Sequence, residues 1–412
     1  MSKKDENLFE KKISRRDMLK LSALAGVGIV AATSGVTTSL DLLQHANQKS
    51  KAKQVIDFFG KHQAGIITPS QAYGYFVAFD LTVTTVKEVK QLLRDWTLLA
   101  QTVAKGETME NSNNSLLPPN DTGDSLGLDA QNLTITIGYG QTFFEKDGVD
   151  RFGLREQTPQ HLKPMPKIAH DSLQENLCDG DILFQICADD RQVCFHAVRN
   201  LIRMSSGRAT VRFLENGFIK GGKGETPRNL FGFKDGTANV EHDTRAGYNE
   251  VVWADATEPS WFQNGSYLGY RKIKMLLEIW DRSSLTDQED TFGRHKVSGA
   301  AYGRKDEFEP VILSKQPVDS HVKLAKDIKK QMHRRAFSYQ NGIDELTGNI
   351  DAGLLFVAFT KNPSEQYIPM LQLMGKKDKL NEYTLPIGNG LYACQSGLKK
   401  GEYFGQQLFA EI

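Results

Sequence analysis

With 412 residues, of which 39% are hydrophobic and 25% charged, the chain is long enough for two domains of ordinary size. Its net charge of +1 gives no electrostatic reason to expect nucleic acid as a partner. Cys178, Cys187, Cys194 and Cys394 form no C-x-x-C pair, which argues against a zinc or iron–sulfur site; they are expected as small buried apolar residues rather than disulfides.

The first fifty residues stand apart. They open polar and charged (KKDENLFEKK), pass through SRRDMLK at 14–20 and then run from Leu21 to Leu40 without a charge. These are the n-region and h-region of an export signal, and Arg15–Arg16 followed by Met18, Leu19 and Lys20 matches the twin-arginine pattern S-R-R-x-F-L-K with Met18 in place of Phe. The apolar run is about long enough to span a bilayer, so an uncleaved membrane tether is the alternative to a cleaved signal. No clean A-x-A site appears, and the mature start falls between Thr33 and the linker QHANQKSKAK. Such a signal exports folded proteins, usually with a cofactor already loaded. The expectation is therefore a twin-arginine translocase as partner and an extracytoplasmic location: periplasm, cell surface or secreted.

Next come AYGYFVAFDLTV at 72–83, a strand, and a segment that places Val86, Val89, Leu92, Leu93, Trp96, Leu99, Ala100 and Val103 at helical spacing. The stretch 105–130, rich in Asn, Ser, Gly and Pro, is a surface loop, and NLTITIGYG alternates like a strand. A second unit follows at 181–203, with Asp189 or Asp190 as helix cap, and ATVRFLENGF closes it as a strand. This order predicts a split βαβ, ferredoxin-like unit. Beyond about residue 225 the theme recurs: a strand in YLGYRKIKMLLEIWDR, a short helix in SLTDQEDTFG, a strand at 353–360 and a helix in PSEQYIPMLQLM. The resulting class is α+β. Residues 1–50 are signal and linker, 51–225 and 226–412 are two domains of related design, and their sheets face each other across one barrel-like core.

Two motifs fail on inspection. Gly217 to Lys223 has G-x-x-x-x-G-K spacing, but Gly224 replaces the hydroxyl that holds Mg²⁺. IGYGQTFF has Phe143 where a dinucleotide fingerprint needs its third glycine. FGFKDGTAN at 231–239 is more informative. A D-G turn between strands explains the dipeptide, whereas Gly232 and Gly236 also let a backbone approach a flat ligand while Asp235 projects over it. Downstream, DSHVKLAKDIKKQMHRRAFSY at 319–339 reads as a helix starting near His321, capped by Asp319 or Ser320, with Arg334 and Arg335 behind it.

GFKDGTAN, then WDRSSLTDQEDTFGRHKVSGA, SHVKLA and RRAFSY in that order resemble the dye-decolourising haem peroxidases, and among them the exported deferrochelatase/peroxidase type encoded with a ferrous-iron uptake system. The likeness runs from about residue 68 to the end of the chain. It implies two ferredoxin-like domains forming a dimeric α+β barrel, with one haem b per chain in the C-terminal domain. Carried over by position, His321 is the proximal iron ligand through Nε2, with Asp378 or Glu382 as its acidic partner. Asp235 is the distal acid–base that moves a proton between the oxygens of H₂O₂, and Arg334 is the distal cation that favours the ionised carboxylate and the separating charge. Gly236, Thr237 and Ala238 line the haem edge. Lys326, Asp327 and Ile328 also touch haem, although this chain departs there from the family's Asn-Pro. Arg294 and His295 are candidates for a propionate, and Tyr339, Trp253, Trp261 and Trp280 for carrying oxidising equivalents outward.

The implied function is H₂O₂-dependent oxidation of dyes, phenols or Fe²⁺ in iron acquisition, with release of iron from haem as a second activity. The alternative is a haem-binding or haem-delivery protein without turnover. Implied partners are H₂O₂ with a reducing substrate or haem, a ferrous-iron permease with a companion lipoprotein or cupredoxin-like subunit, and further copies of the chain in a homo-oligomer.

Overall fold

A computed structural model describes residues 54–410 apart from position 223, so the twin-arginine segment and its apolar run lie outside the described residues. Nine strands are described: β1 Tyr73–Leu81, β2 Thr134–Gly140, β3 Ile182–Ala188, β4 Ala209–Phe218, β5 Ser266–Met275, β6 His333–Arg334, β7 Phe337–Ile343, β8 Ile350–Thr360 and β9 Thr384–Cys394.

In the first half the period of two sorts side chains to opposite faces of the sheet. Along β1, Tyr75, Val77, Phe79 and Leu81 enter one core, and Phe76 and Ala78 enter another. The first core is closed by two helices. Val86–Val103 begins with a capping box, in which Thr85 Oγ1 accepts from the Glu88 backbone and the Glu88 carboxylate accepts from the Thr85 backbone. It buries Val89, Leu92, Leu93, Trp96, Leu99, Ala100 and Val103, the face its spacing predicts. Arg191–Met204 is capped by Asp190, whose Oδ1 accepts from Gln192 and Val193. Asp189 instead holds the Ala72 amide and Asn132, which settles the choice between the two aspartates.

Strand order β2-β3-β1-β4, all antiparallel, is the split βαβ order, and β9-β5-β8-β7 repeats it in the second half. The barrel-like core is present, but as one continuous ring of eight strands rather than two opposed sheets. The seams are short: Tyr139↔Ala393 and Gly140↔Tyr392 join β2 to β9, and Phe218↔Ser338 joins β4 to β7. β5 pairs with both β8 and β9 along nearly its whole length, and β6 extends the free edge of β8. The strand expected through YLGYRKIKMLLEIWDR ends at Met275, after which Leu277–Trp280 turns as a helix. The C-terminal tail crosses back to the first half, where Leu398, Phe404, Leu408 and Phe409 join the core around Trp96. All four cysteines are buried and unpaired. Gly217 lies near the end of β4, and Gly138 and Gly140 lie within β2, which leads directly into the short helix Gln141–Phe144.

Trp96 is fully buried, edge-on to Phe184 at 5.1 Å, and its Nε1 donates to the Leu201 carbonyl at 3.1 Å. Trp96→Ala is expected to cost about 3–5 kcal/mol through the cavity it leaves. A chemical-denaturation midpoint equal to wild type would refute this placement of the core.

Candidate active site

The second half buries its sites on the outer side of the barrel. Residues of β5 alternate between the barrel interior (Leu268, Tyr270) and an external cavity (Arg271, Ile273, Met275), and those of β8 likewise, with Leu354 and Phe356 outward. The cavity has a volume of about 960 Å³, at the upper end for a small-molecule or cofactor site.

One wall is FGFKDGTAN. Asn229 folds it: its amide donates to the Phe233 carbonyl at 2.9 Å and its Oδ1 accepts from Phe231 and Phe233. Gly232 at φ +83° makes this turn and is absent from the cavity lining, so its role is backbone conformation and not close approach to a ligand. Gly236, at φ +119°, does line the cavity and starts the 3₁₀ turn Thr237–His242. Phe231 and Phe233 anchor the loop in an aromatic cluster with Trp280 and Phe292. Glu307 fixes its far side, accepting from Lys234 Nζ at 2.6 Å and Thr237 Oγ1 at 2.8 Å.

This leaves Asp235 projecting beside Arg334, whose Nη1 donates to Asp235 Oδ1 at 3.4 Å. Both side chains are largely buried yet open to the cavity. Asn239 locks the pair from behind. Its Nδ2 donates to the Arg334 carbonyl at 2.8 Å, and its Oδ1 accepts from the Arg334 amide at 3.2 Å.

The opposite wall is the helix His321–Asp327. Ser320 occupies the cap position, but its hydroxyl donates to the Pro317 carbonyl and does not cap the helix. His321 Nδ1 donates to Asp378 Oδ2 at 2.6 Å, which selects Asp378 over Glu382; Asp378 Oδ1 accepts from the Leu380 amide. Nε2 carries no hydrogen bond among the described residues, and the imidazole lines the cavity. Burial opposes the charged imidazole, but the charge and hydrogen bond of Asp378 outweigh it and raise the His321 pKa.

Of the expected contacts, Gly236, Thr237, Ala238, His321, Lys326, Arg334 and Arg294 line the cavity. Asp327 and Ile328 do not. Consecutive helical residues diverge by about 100°, so the face that carries His321 continues through Val322, Ala325 and Lys326. Asp327 is instead paired with Lys323 on the surface. His295 also points away, its Nδ1 paired with Glu289 at 2.9 Å, while the buried Arg294 donates to the Gly299 and Glu307 carbonyls. None of the four radical candidates lines the cavity. Trp253 stacks on His62, Trp261 lies in the first-half core, Tyr339 is inside the barrel, and Trp280 contacts Phe292, which sits 6.0 Å from the His321 ring.

Beside Arg334 lies a second histidine contact, His242 Nε2 to His333 Nδ1 at 3.3 Å, with both rings buried. Burial, then the positive charge of Arg335, pushes His333 down to about 3. A depressed histidine keeps its contribution to stability above the unfolded-state value of about 6.5 and loses it as pH falls toward the folded value. Between pH 7 and 5 the loss is about 2 kcal/mol, so His333→Phe is expected to flatten the fall of the urea midpoint over that window. Parallel curves for variant and wild type would rule this out.

An unhydrogen-bonded Nε2 on one wall, a carboxylate–guanidinium pair on the other, an apolar floor and the cations Arg294, Lys326 and Lys329 suit a flat apolar macrocycle with an axially bound metal and ring carboxylates.

Comparison with known proteins follows the same division of the chain. Residues 63–219 match the model of the Dyp-type peroxidase N-terminal region and residues 226–399 that of the C-terminal region. The chain is 36% identical to a deferrochelatase of Escherichia coli K12, covering 99% of both chains. A DyP-type peroxidase from Streptomyces coelicolor superimposes with TM-score 0.79 at 35% identity, over 86% of this chain and 96% of that one. Ferric DtpA from Streptomyces lividans gives TM-score 0.79 at 35% identity, over 86% and 97%.

Proposed function

The chain belongs to the Dyp-type peroxidase family, and from that premise we propose that its cavity holds one haem b and that the protein is a haem peroxidase of the deferrochelatase type. The observation that carries this reading is His321, tied to Asp378 at 2.6 Å, facing the same cavity as the Asp235–Arg334 pair. Bound haem supplies an iron at which the O–O bond of peroxide is cleaved and oxidising equivalents are held.

The chain's residues do the rest. His321 would hold the iron through Nε2, and Asp378, by accepting from Nδ1, fixes the tautomer and makes the imidazole a stronger donor. With peroxide bound in the cavity, Asp235 would accept a proton from one peroxide oxygen and deliver it to the other, which would leave as water. Arg334 stabilises the negative charge that develops as that bond breaks, and Asn239 prevents its backbone from drifting. Arg294 and Lys329 are placed to meet ring carboxylates. A haem carrier without turnover has no use for the Asp235–Arg334 pair.

The signal at residues 14–20 supports export by the twin-arginine translocase to an extracytoplasmic site. The deferrochelatase relatives support release of iron from haem; the motif resemblance adds a role in iron acquisition, with a ferrous-iron permease and a companion lipoprotein or cupredoxin-like subunit as proposed partners. Homo-oligomer formation completes the proposal. Purified holo-protein is expected to oxidise an anthraquinone dye or guaiacol only with H₂O₂, and to release fluorescent metal-free porphyrin from excess haem. Correctly loaded protein that did neither would overturn the reading.

A further inference from the structure

The two walls of the cavity are joined at its rim. Glu241 belongs to the turn Thr237–His242 that follows Asp235, and Lys326 lies on the His321 helix. One Glu241 oxygen accepts from Lys326 Nζ, and the other accepts from Gln331 Nε2 at 2.9 Å. The Gln331 carbonyl in turn accepts from Gln366 Nε2 at 2.7 Å, extending the link to the residue before the helix Tyr367–Lys377. All four residues line the cavity, and the charged side chains of Glu241 and Lys326 remain 40% and 28% exposed, so the link sits where the cavity meets solvent. Burial alone would raise the Glu241 carboxyl, but the hydrogen bond and charge of Lys326 bring it below its ordinary value, and it is held as an anion. The mechanism above gives Glu241 no task.

We propose that Glu241 and Lys326 form a clasp across the cavity edge that controls how readily a bound planar macrocycle leaves. The inference rests on the haem reading of the cavity and deepens it. A tetrapyrrole serving as cofactor must stay, whereas one serving as substrate must be exchanged after losing its iron. The distal turn and the proximal helix have to separate for a flat ring to slide out, and this pair is the polar link between them at the rim. Because it is solvent-exposed, salt weakens it.

The test measures haem transfer from holo-protein to excess apomyoglobin, followed in the Soret region. At low ionic strength Glu241→Gln and Lys326→Met are each expected to release haem about fivefold faster than wild type, the scale of one well-placed rim ion pair. Raising NaCl to about 0.5 M should accelerate wild type toward the variants while changing the variants little. Exchanging the two charges in the double variant Glu241→Lys with Lys326→Glu should restore slow release. Release by the single variants at or below the wild-type rate overturns the clasp, and so does a charge exchange that leaves release fast. Wild-type protein without a Soret band would instead bring down the haem reading itself, an outcome separable from a normal Soret band with unchanged release.

Discussion

Protein carrying His321→Ala is expected to purify folded but without haem, with no Soret band after reconstitution and no peroxide-dependent dye oxidation. Among the described residues the helix His321–Asp327 holds no other histidine, cysteine or methionine to substitute. Among the described lining residues the proximal helix contributes Val322, Ala325 and Lys326 besides His321. Asp378 divides its carboxylate between two donors, Oδ2 accepting from the imidazole and Oδ1 from the Leu380 amide. The truncated site retains that carboxylate and a ring-sized space, so imidazole added to the buffer should restore part of the Soret band. Full haem retention by the variant without added imidazole would show that the axial ligand lies elsewhere. Asp378→Asn should behave differently, keeping haem with affinity weakened by about 10- to 100-fold, because it loosens the ligand without removing it.

The second large effect is expected on the opposite wall. Asp235→Asn preserves size and loop geometry but removes the base, and peroxide turnover should fall by about 10²- to 10⁴-fold with the haem spectrum retained. Arg334→Leu should lower turnover by about 10²- to 10³-fold, the scale for losing one preorganised charge donor. The double variant should be far less than multiplicative, because the two act on one event and their side chains touch at 3.4 Å. Single variants that react with H₂O₂ at the wild-type rate would remove both roles.

Much of this site was legible in the chain because its chemistry is concentrated in short runs. Asp235 and Gly236 share one loop, His321 opens a helix, and Arg334 follows within the same segment, so the family resemblance could be carried onto them residue by residue. What the sequence left open was what depends on contacts between distant residues. Asp378 lies 57 positions from His321, and nothing local separates it from Glu382. Glu307, which holds Lys234 and Thr237, comes from an irregular loop with no motif around it. Asn239 was in the quoted loop, yet its use becomes visible only when β6 brings the Arg334 backbone against it. The sides that Asp327 and Ile328 present were open as well, since neighbouring residues of a helix face different ways, and neither lines the cavity beside His321. The ring closure was equally hidden, since its two seams rest on two residue pairs and one.

The shared wall formed by β5 and β8 limits how this protein can be redesigned. Cavity-facing Phe356 is flanked in sequence by Leu355 and Val357, both packed inside the barrel, and β5 is fastened on both edges. Its backbone therefore has nowhere to shift, and an enlarged side chain must intrude on the ligand rather than push the strand aside. The cavity is also bounded by segments around residues 161–171 and 361–375, which are loop and helix rather than barrel strand. Directed-evolution libraries seeking bulkier or more polar donors would do best to randomise those segments and hold the strands constant.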